Sequence, residues 1–185
     1  MIQCKRLISA PGCDEVHRFA FQTARRQGLK KVHCGHKANI MKMTDGLFLR
    51  CARDVQRNEY PNIQYQELII DAGCMKLVQD PTQFDVLLLE NLYGDVVSDL
   101  CAGLVGGLGV VPGANIGPTC AVFEAVHGSA PDIAGKGIAN PLACIMSGAL
   151  MLDHMGKTQQ AARIRRAYEA VLVEGDPNHL TPDIG

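Results

Sequence analysis

Asp95 and Asp99 lie four positions apart in the run Asn91-Leu92-Tyr93-Gly94-Asp95-Val96-Val97-Ser98-Asp99, and that spacing decides what they can do together. The preceding apolar residues, 86–89, read as a buried strand. Gly94 permits a sharp turn after it, Asp95 has the side chain of a helix N-cap, and apolar residues recur at helical spacing through Leu100 and Leu104. On such a helix the two carboxylates share a face, one turn above the other. Like charges so placed repel, and an ordinary helix gains nothing from the pair. A divalent cation between them removes the conflict, and hard oxygen donors suit magnesium or manganese. The plainer reading is an N-cap beside a solvated acid, and the pair alone leaves both open.

Three further stretches carry residue types that could do chemistry. Lys37, in His36-Lys37-Ala38-Asn39-Ile40-Met41-Lys42, follows the apolar Val32-His33-Cys34 run. Desolvation at the exit of a buried strand lowers a lysine pKa and makes it usable as an acid or base near neutrality. The alternative is a surface lysine whose stem packs on Met41. His33 and His36 fit structural roles better than ligation. Asp71 ends a strand-like segment, where open α/β sheets place ligand-handling residues, but it would equally cap the next helix. The loop His127-Gly128-Ser129-Ala130-Pro131-Asp132-Ile133-Ala134-Gly135 is rich in small residues that let a ligand approach the backbone, with His127 and Asp132 as polar handles. No G-x-G-x-x-G follows a strand and opens a helix, so a nucleotide site here is of a non-Rossmann kind.

The elements that must position these residues alternate. Residues 2–8 read as an edge strand. A helix capped by Asp14 carries Val16, Phe19, Ala20 and Ala24 and ends at Gly28. A strand follows at 31–34, and Asp45 opens a second helix with Leu47, Phe48, Cys51 and Val55 inward. Next come a strand at 63–70, a short helix at 72–78 stopped by Asp80-Pro81, and the strand and helix that carry the aspartates. Strands alternating with helices predict an α/β layered sheet. Residues 106–117 are dense in glycine and proline and read as a hinge or inter-domain crossing. A strand at 120–124 precedes the glycine-rich loop. Asn140 and Pro141 start a helix over 142–155 that ends at Gly156. A last helix, at 158–173, presents Arg163, Arg165 and Arg166, and residues 181–185 read as the middle of a loop. Both ends look cut, so the expectation is a fragment.

At 185 residues and 47% hydrophobic, the chain can bury a sizeable core in one or two domains. Its 18 basic and 19 acidic residues are interspersed, for a net charge of −1, which argues against nucleic-acid and membrane partners. Eight cysteines with no C-x-x-C pair, mostly within apolar runs, read as small reduced core residues rather than a disulfide frame or zinc site. No apolar segment is long enough to span a bilayer.

Taken together, Lys37, the trio Asp71, Asp95 and Asp99, and the 127–140 loop closely resemble the decarboxylating 3-hydroxy-acid dehydrogenases: the isocitrate, isopropylmalate and homoisocitrate dehydrogenases. Lys37-Ala38-Asn39-Ile40-Met41-Lys42, Asp45-Gly46-Leu47-Phe48-Leu49, Asn91-Leu92-Tyr93-Gly94-Asp95 and Pro112-Gly113-Ala114-Asn115-Ile116-Gly117 look most like NAD-dependent isocitrate dehydrogenase. Glu90-Asn91 and residues 132–142 would be equally at home in isopropylmalate dehydrogenase.

The resemblance implies a non-Rossmann α/β fold of two domains around a cleft, present here in part. Residues 1–105 would be the later part of the small domain, with dimer-interface elements, and 106–185 part of the large cofactor-binding domain. It implies oxidative decarboxylation of isocitrate to 2-oxoglutarate with NAD as hydride acceptor, isopropylmalate or homoisocitrate being the alternative substrates and a truncated or regulatory non-catalytic subunit the alternative role, with Mg2+ or Mn2+ held by Asp71, Asp95 and Asp99. Lys37, with Asp71, would be catalytic, and His127, Gly128, Ser129, Ala130, Asp132, Ile133 and Asn140 would bind the cofactor. Lys37 and Asp71 would come from one protomer, with Asp95 and Asp99 from another, so a homo- or hetero-oligomer completes the site. The arginine cluster that grips substrate carboxylates would lie upstream. The compartment would be the mitochondrial matrix in a eukaryote and the cytoplasm in a bacterium. Regulatory, non-catalytic chains also exist in this family; the intact acids and loop favour a catalytic-type chain.

NAD and NADP differ at the adenosine ribose, where a carboxylate accepts hydrogen bonds from hydroxyls and repels a 2′-phosphate. NADP-using relatives place basic and hydroxyl side chains after the loop proline. This chain has Asp132-Ile133 there, which favours NAD, and the glycines flanking Lys136 turn it elsewhere.

Overall fold

The computed structural model describes residues 1–176 and 180–184, so the final Gly185 of the terminal loop lies outside the described residues. Two compact units divide the chain, Met1–Ser98 and Asp99–Gly185.

The first unit is built on a three-stranded parallel sheet in the order β2-β1-β3, with β1 at Lys31–His36, β2 at Gln64–Ile69 and β3 at Val86–Leu88. Parallel neighbours need crossover connections, and the helices α1 (Ala10–Gln27), α2 (Thr44–Glu59) and α3 (Ile70–Gln79) pack around the sheet. As the central strand, β1 buries four consecutive residues, 32–35, the pattern of a parallel strand covered on both faces. Phe21, Val32 and Cys34 have no exposure, and Phe21 stacks on Tyr60 with ring centroids 5.5 Å apart. Burying a side chain of that size contributes roughly 2–3 kcal/mol.

The first segment departs from the expected edge strand: residues 1–9 form no regular element, and α1 begins at Ala10, before Asp14. Ser9 caps it by accepting the Gly12 N–H, and Pro11 supplies a preset φ in the first turn. Gly28 closes the helix as expected, at φ 70°. Helix α4 spans Asn91–Leu104, so Gly94 and Asp95 lie inside it rather than at its start; the Gly94 N–H already donates to Glu90 O at 2.8 Å.

In the second unit the expected hinge contains a strand. β4 (Pro112–Ile116) pairs antiparallel with β5 (Ala121–Ala125), and the Gly117 N–H donates to Cys120 O across the turn. α5 (Leu142–His154) packs on this hairpin, and α6 (Thr158–Glu174) packs on α5. Ser147, nearly fully buried, fastens the assembly: its single hydroxyl proton is shared between Glu124 O and Ala143 O, each 2.8 Å away, and its oxygen accepts the Gly113 N–H. Of the eight cysteines, all among the described residues, Cys13, Cys34 and Cys51 are buried, fewer than the apolar runs suggested.

His17 sits fully buried against Phe48, and neither ring nitrogen has a hydrogen-bond partner. Burial pushes its pKa down from 6.5 to about 4. The folded chain therefore keeps this ring neutral where the unfolded chain takes up a proton. Stability from this group is intact above the unfolded pKa and falls as pH drops from about 6.5 to about 4. The loss should be on the order of 3 kcal/mol. His17→Leu should flatten the difference in urea midpoint between neutral and acid pH; an unchanged pH slope would remove His17 as its source.

Candidate functional site

Parallel register brings Lys37 and Asp71 together. His36 pairs with Ile69 at the end of the β1–β2 ladder, and both chains then leave the sheet at the same edge. Lys37 is the next residue after β1, and Asp71 falls in the first turn of α3. Its position is thus both strand exit and helix start, the two readings the sequence left open. Lys37 Nζ donates to Asp71 Oδ1 at 2.7 Å. This hydrogen bond, with help from backbone N–H groups at the helix start, holds the Asp71 carboxyl below the usual carboxylate range. The lysine side chain is 27% exposed and its ammonium faces a carboxylate, where the strand-exit position had suggested desolvation.

The lysine backbone is fixed as firmly as its tip. The Lys37 N–H donates to Asp45 Oδ2 at 2.7 Å, and its carbonyl accepts from Ile40 at 2.9 Å and Met41 at 2.7 Å. His33 and His36 have structural partners: His33 Nε2 contacts Gln66 Oε1 at 3.0 Å, and His36 Nδ1 accepts the Ala38 N–H.

Asp95 and Asp99 are both exposed on α4, one turn apart. Carboxylate oxygens in that arrangement are the donor chemistry a small divalent cation takes. Among the described residues no group of three or more His, Cys, Asp or Glu side chains is gathered to hold a metal ion.

The 127–140 loop walls a cavity of about 760 Å³ within the second unit. His127, Gly128, Ser129, Ala130, Ile133 and Asn140 line it, whereas Asp132 does not; it is exposed in the short 3-10 turn Pro131–Ile133. Ala130 takes a left-handed conformation, φ 41°, immediately before Pro131, a geometry that costs about 1–3 kcal/mol for a residue with a Cβ. Gly135 and Gly137, on either side of Lys136, also have positive φ. Asn140 does two jobs. Its Oδ1 accepts the Leu142 N–H at 2.9 Å, starting α5, and its Nδ2 donates to Asp183 Oδ2 at 2.9 Å.

Pro182 and Asp183 line the same cavity, with Leu108 and Gly109. Sequence reasoning missed them: the terminal stretch read as a loop, and no spacing rule links it to a loop some forty residues earlier. An acid bonded to a cavity asparagine was visible only after folding. Burial alone would raise the Asp183 carboxyl, but the Thr181 hydroxyl beside it and the Asn140 hydrogen bond outweigh it and hold the group below its usual range.

A family model described as isocitrate/isopropylmalate dehydrogenase matches residues 3–185. The 3-isopropylmalate dehydrogenase of Archaeoglobus fulgidus is 51% identical over 180 residues, covering 97% of this chain and 54% of that protein. A mitochondrial regulatory subunit of the NAD isocitrate dehydrogenase of Dictyostelium discoideum is 52% identical over 99% of this chain and 51% of its own length. A crystal structure of isocitrate dehydrogenase from Methylococcus capsulatus superposes with a TM-score of 0.93 at 51% identity, over 99% of this chain and 53% of that one. The chain spans about half the length of the curated relatives it matches. The family model and the fold agree, and the chain belongs to the isocitrate/isopropylmalate dehydrogenase family.

Proposed function

We propose that the protein catalyses the metal-dependent oxidative decarboxylation of isocitrate to 2-oxoglutarate with NAD as hydride acceptor. The observation that carries this reading is the Lys37–Asp71 pair at 2.7 Å, an acid–base couple at the carboxyl edge of a parallel sheet. In this reading Lys37 Nζ takes and returns the proton of the substrate hydroxyl, and Asp71 orients the ammonium. Asp95 and Asp99, with Asp71 of a second protomer, would hold Mg2+ or Mn2+. When bound, the metal supplies Lewis acidity toward the hydroxyl and its neighbouring carboxylate, and NAD accepts the hydride. The 127–140 cavity would take the cofactor, Asn140 and the loop backbone offering hydrogen bonds, and Asp132, exposed beside the cavity wall rather than in it, would meet ribose hydroxyls that project from its mouth.

A site shared between protomers calls for an oligomer. Met75 and Val78 on α3, and Leu92 and Val96 on α4, are large apolar side chains left exposed, which supports a partner surface there. Relatives are named as alpha and as regulatory subunits, so either a homo- or a hetero-oligomer fits. Two mitochondrial relatives support the matrix for a eukaryotic source. No helix among the described residues is long and apolar enough to cross a membrane. Isopropylmalate and homoisocitrate undergo the same chemistry and are the alternative substrates; kcat/KM of the full-length protein on all three acids decides among them, isocitrate being expected to lead. The relative named as a regulatory subunit favours a second reading, a non-catalytic partner, which predicts no turnover on any of the three.

Three variants test the assignments in the full-length protein. Lys37→Met keeps the stem's packing and removes the titratable head, and should lower kcat by about 10²–10⁴-fold; an ordinary rate and pH profile would take the lysine out of the mechanism. Asp95→Asn should abolish turnover and weaken Mn2+ binding, measured by titration, while the fold survives. Normal metal affinity would refute the ligand assignment. Wild type should prefer NAD, and Asp132→Lys with Ile133→Tyr should move the NAD:NADP ratio of kcat/KM toward NADP by on the order of tenfold, about 1.4 kcal/mol. An unmoved ratio would show that Asp132 is not the ribose ligand.

A further inference from the structure

Among the described residues Asp45 is the one charged side chain in the buried set, at 2% exposure. We propose that the Arg6–Asp45 ion pair is a positioning device that fixes Lys37 and aligns its turn with the start of α4; this rests on the acid–base reading of Lys37.

Three contacts meet at the Asp45 carboxylate. Oδ2 accepts the Lys37 N–H at 2.7 Å, Oδ1 accepts the Thr44 hydroxyl at 3.2 Å, and Oδ1 lies 2.8 Å from Arg6 Nη1. With the Lys37 carbonyl accepting from Ile40 and Met41, the lysine backbone is held at both its N–H and its carbonyl, and its side chain reaches from there to Asp71. A neutral acceptor would satisfy one N–H; a buried carboxylate makes a shorter, stronger bond but needs a countercharge. That charge comes from Arg6, in a segment with no regular structure of its own.

The same guanidinium reaches a second element. Arg6 Nε donates to Glu90 Oε1 at 3.2 Å, and Nη2 lies 2.8 Å from Glu90 Oε2 as an ion pair, Oε2 having no aligned hydrogen bond. Its Cζ lies 5.1 Å from the Tyr93 ring centroid, and Nη1 donates to the Tyr93 hydroxyl at 3.4 Å. Glu90 immediately precedes α4 and Tyr93 is in its first turn, one short step from Asp95. One rigid planar cation therefore joins the turn that bears the lysine to the helix that bears an acid of the proposed metal pair, all within the first unit. A purely structural ion pair could be exchanged for apolar packing at little cost. A positioning pair could not, because a misplacement of about 1 Å at the reacting groups costs on the order of 10²-fold in rate.

The test uses Asp45→Asn, Arg6→Met and Arg6→Lys in the full-length protein, beside Lys37→Met. Melting temperature, kcat and KM per folded molecule, and hydrogen exchange of the Lys37 amide are the readouts. Asp45→Asn and Arg6→Met should lower kcat by on the order of 10²-fold, with KM moving less than about threefold, and should speed Lys37 amide exchange. Arg6→Lys keeps the charge without the fork and should recover part of the rate. Arg6 lies outside every helix and strand, so Arg6→Met carries the test if Asp45→Asn does not fold. Folded variants with wild-type kcat and an unchanged Lys37 amide, while Lys37→Met is inactive, would overturn the positioning role. An active Lys37→Met would instead fell the acid–base reading, and the proposal with it.

Discussion

The burial of β1 between two parallel neighbours is the constraint on which the first unit depends. Slipping its register by one residue would move Val32 and Cys34 to the face that His33 and Gly35 now occupy, and put a histidine and a glycine where Val32 and Cys34 fill the core. Gly35 adds a steric lock: a Cβ there would stand 2.3 Å from Leu89 Cδ2, so Leu89 can close over the strand only because residue 35 has no side chain. With register fixed, the exits of β1 and β2 are fixed too. Lys37 and Asp71, thirty-four residues apart in sequence, become neighbours through backbone pairing before any side-chain attraction acts.

The second unit solves a different problem, a cavity wall made from residues with little intrinsic preference for any structure. Its loop is anchored rather than packed. Asn140 ties the loop's end to the first turn of α5 and to Asp183, and Ser147 ties α5 to the hairpin behind it. The left-handed Ala130 beside Pro131 is tolerated because these anchors over-determine the path between them.

Charge is used differently in the interior and at the surface. Arg53 holds the Glu67 carboxyl below its usual range at a half-exposed position, where solvent screens the pair. His17 is kept neutral by burial, while Asp45 stays in the core in the company of an arginine, a backbone N–H and a hydroxyl. Of these groups Asp45 alone is both buried and bonded to a residue of the candidate site.

The sequence by itself determined the alternation of strands and helices, because hydrophobic periodicity, the Gly28 stop and the Asp80-Pro81 break are local signals. It also determined the residue types of the candidate site, since a lysine after a buried run and two acids at helical spacing can be read without a fold. Residues 1–9, β4 and the true starts of α1 and α4 were not legible. Ser9 and Pro11 outcompeted Asp14 as a helix start, and Gly94 was absorbed into a helix that began earlier. β4 is made of poor strand formers and exists through its pairing with β5. Tertiary structure alone decided that Arg6 meets Asp45, that Asp183 joins the 127–140 cavity and that Asp132 stands outside its wall. Those contacts span tens of residues with no periodicity to announce them, and they follow from chain register and helix packing rather than from any residue's own preference.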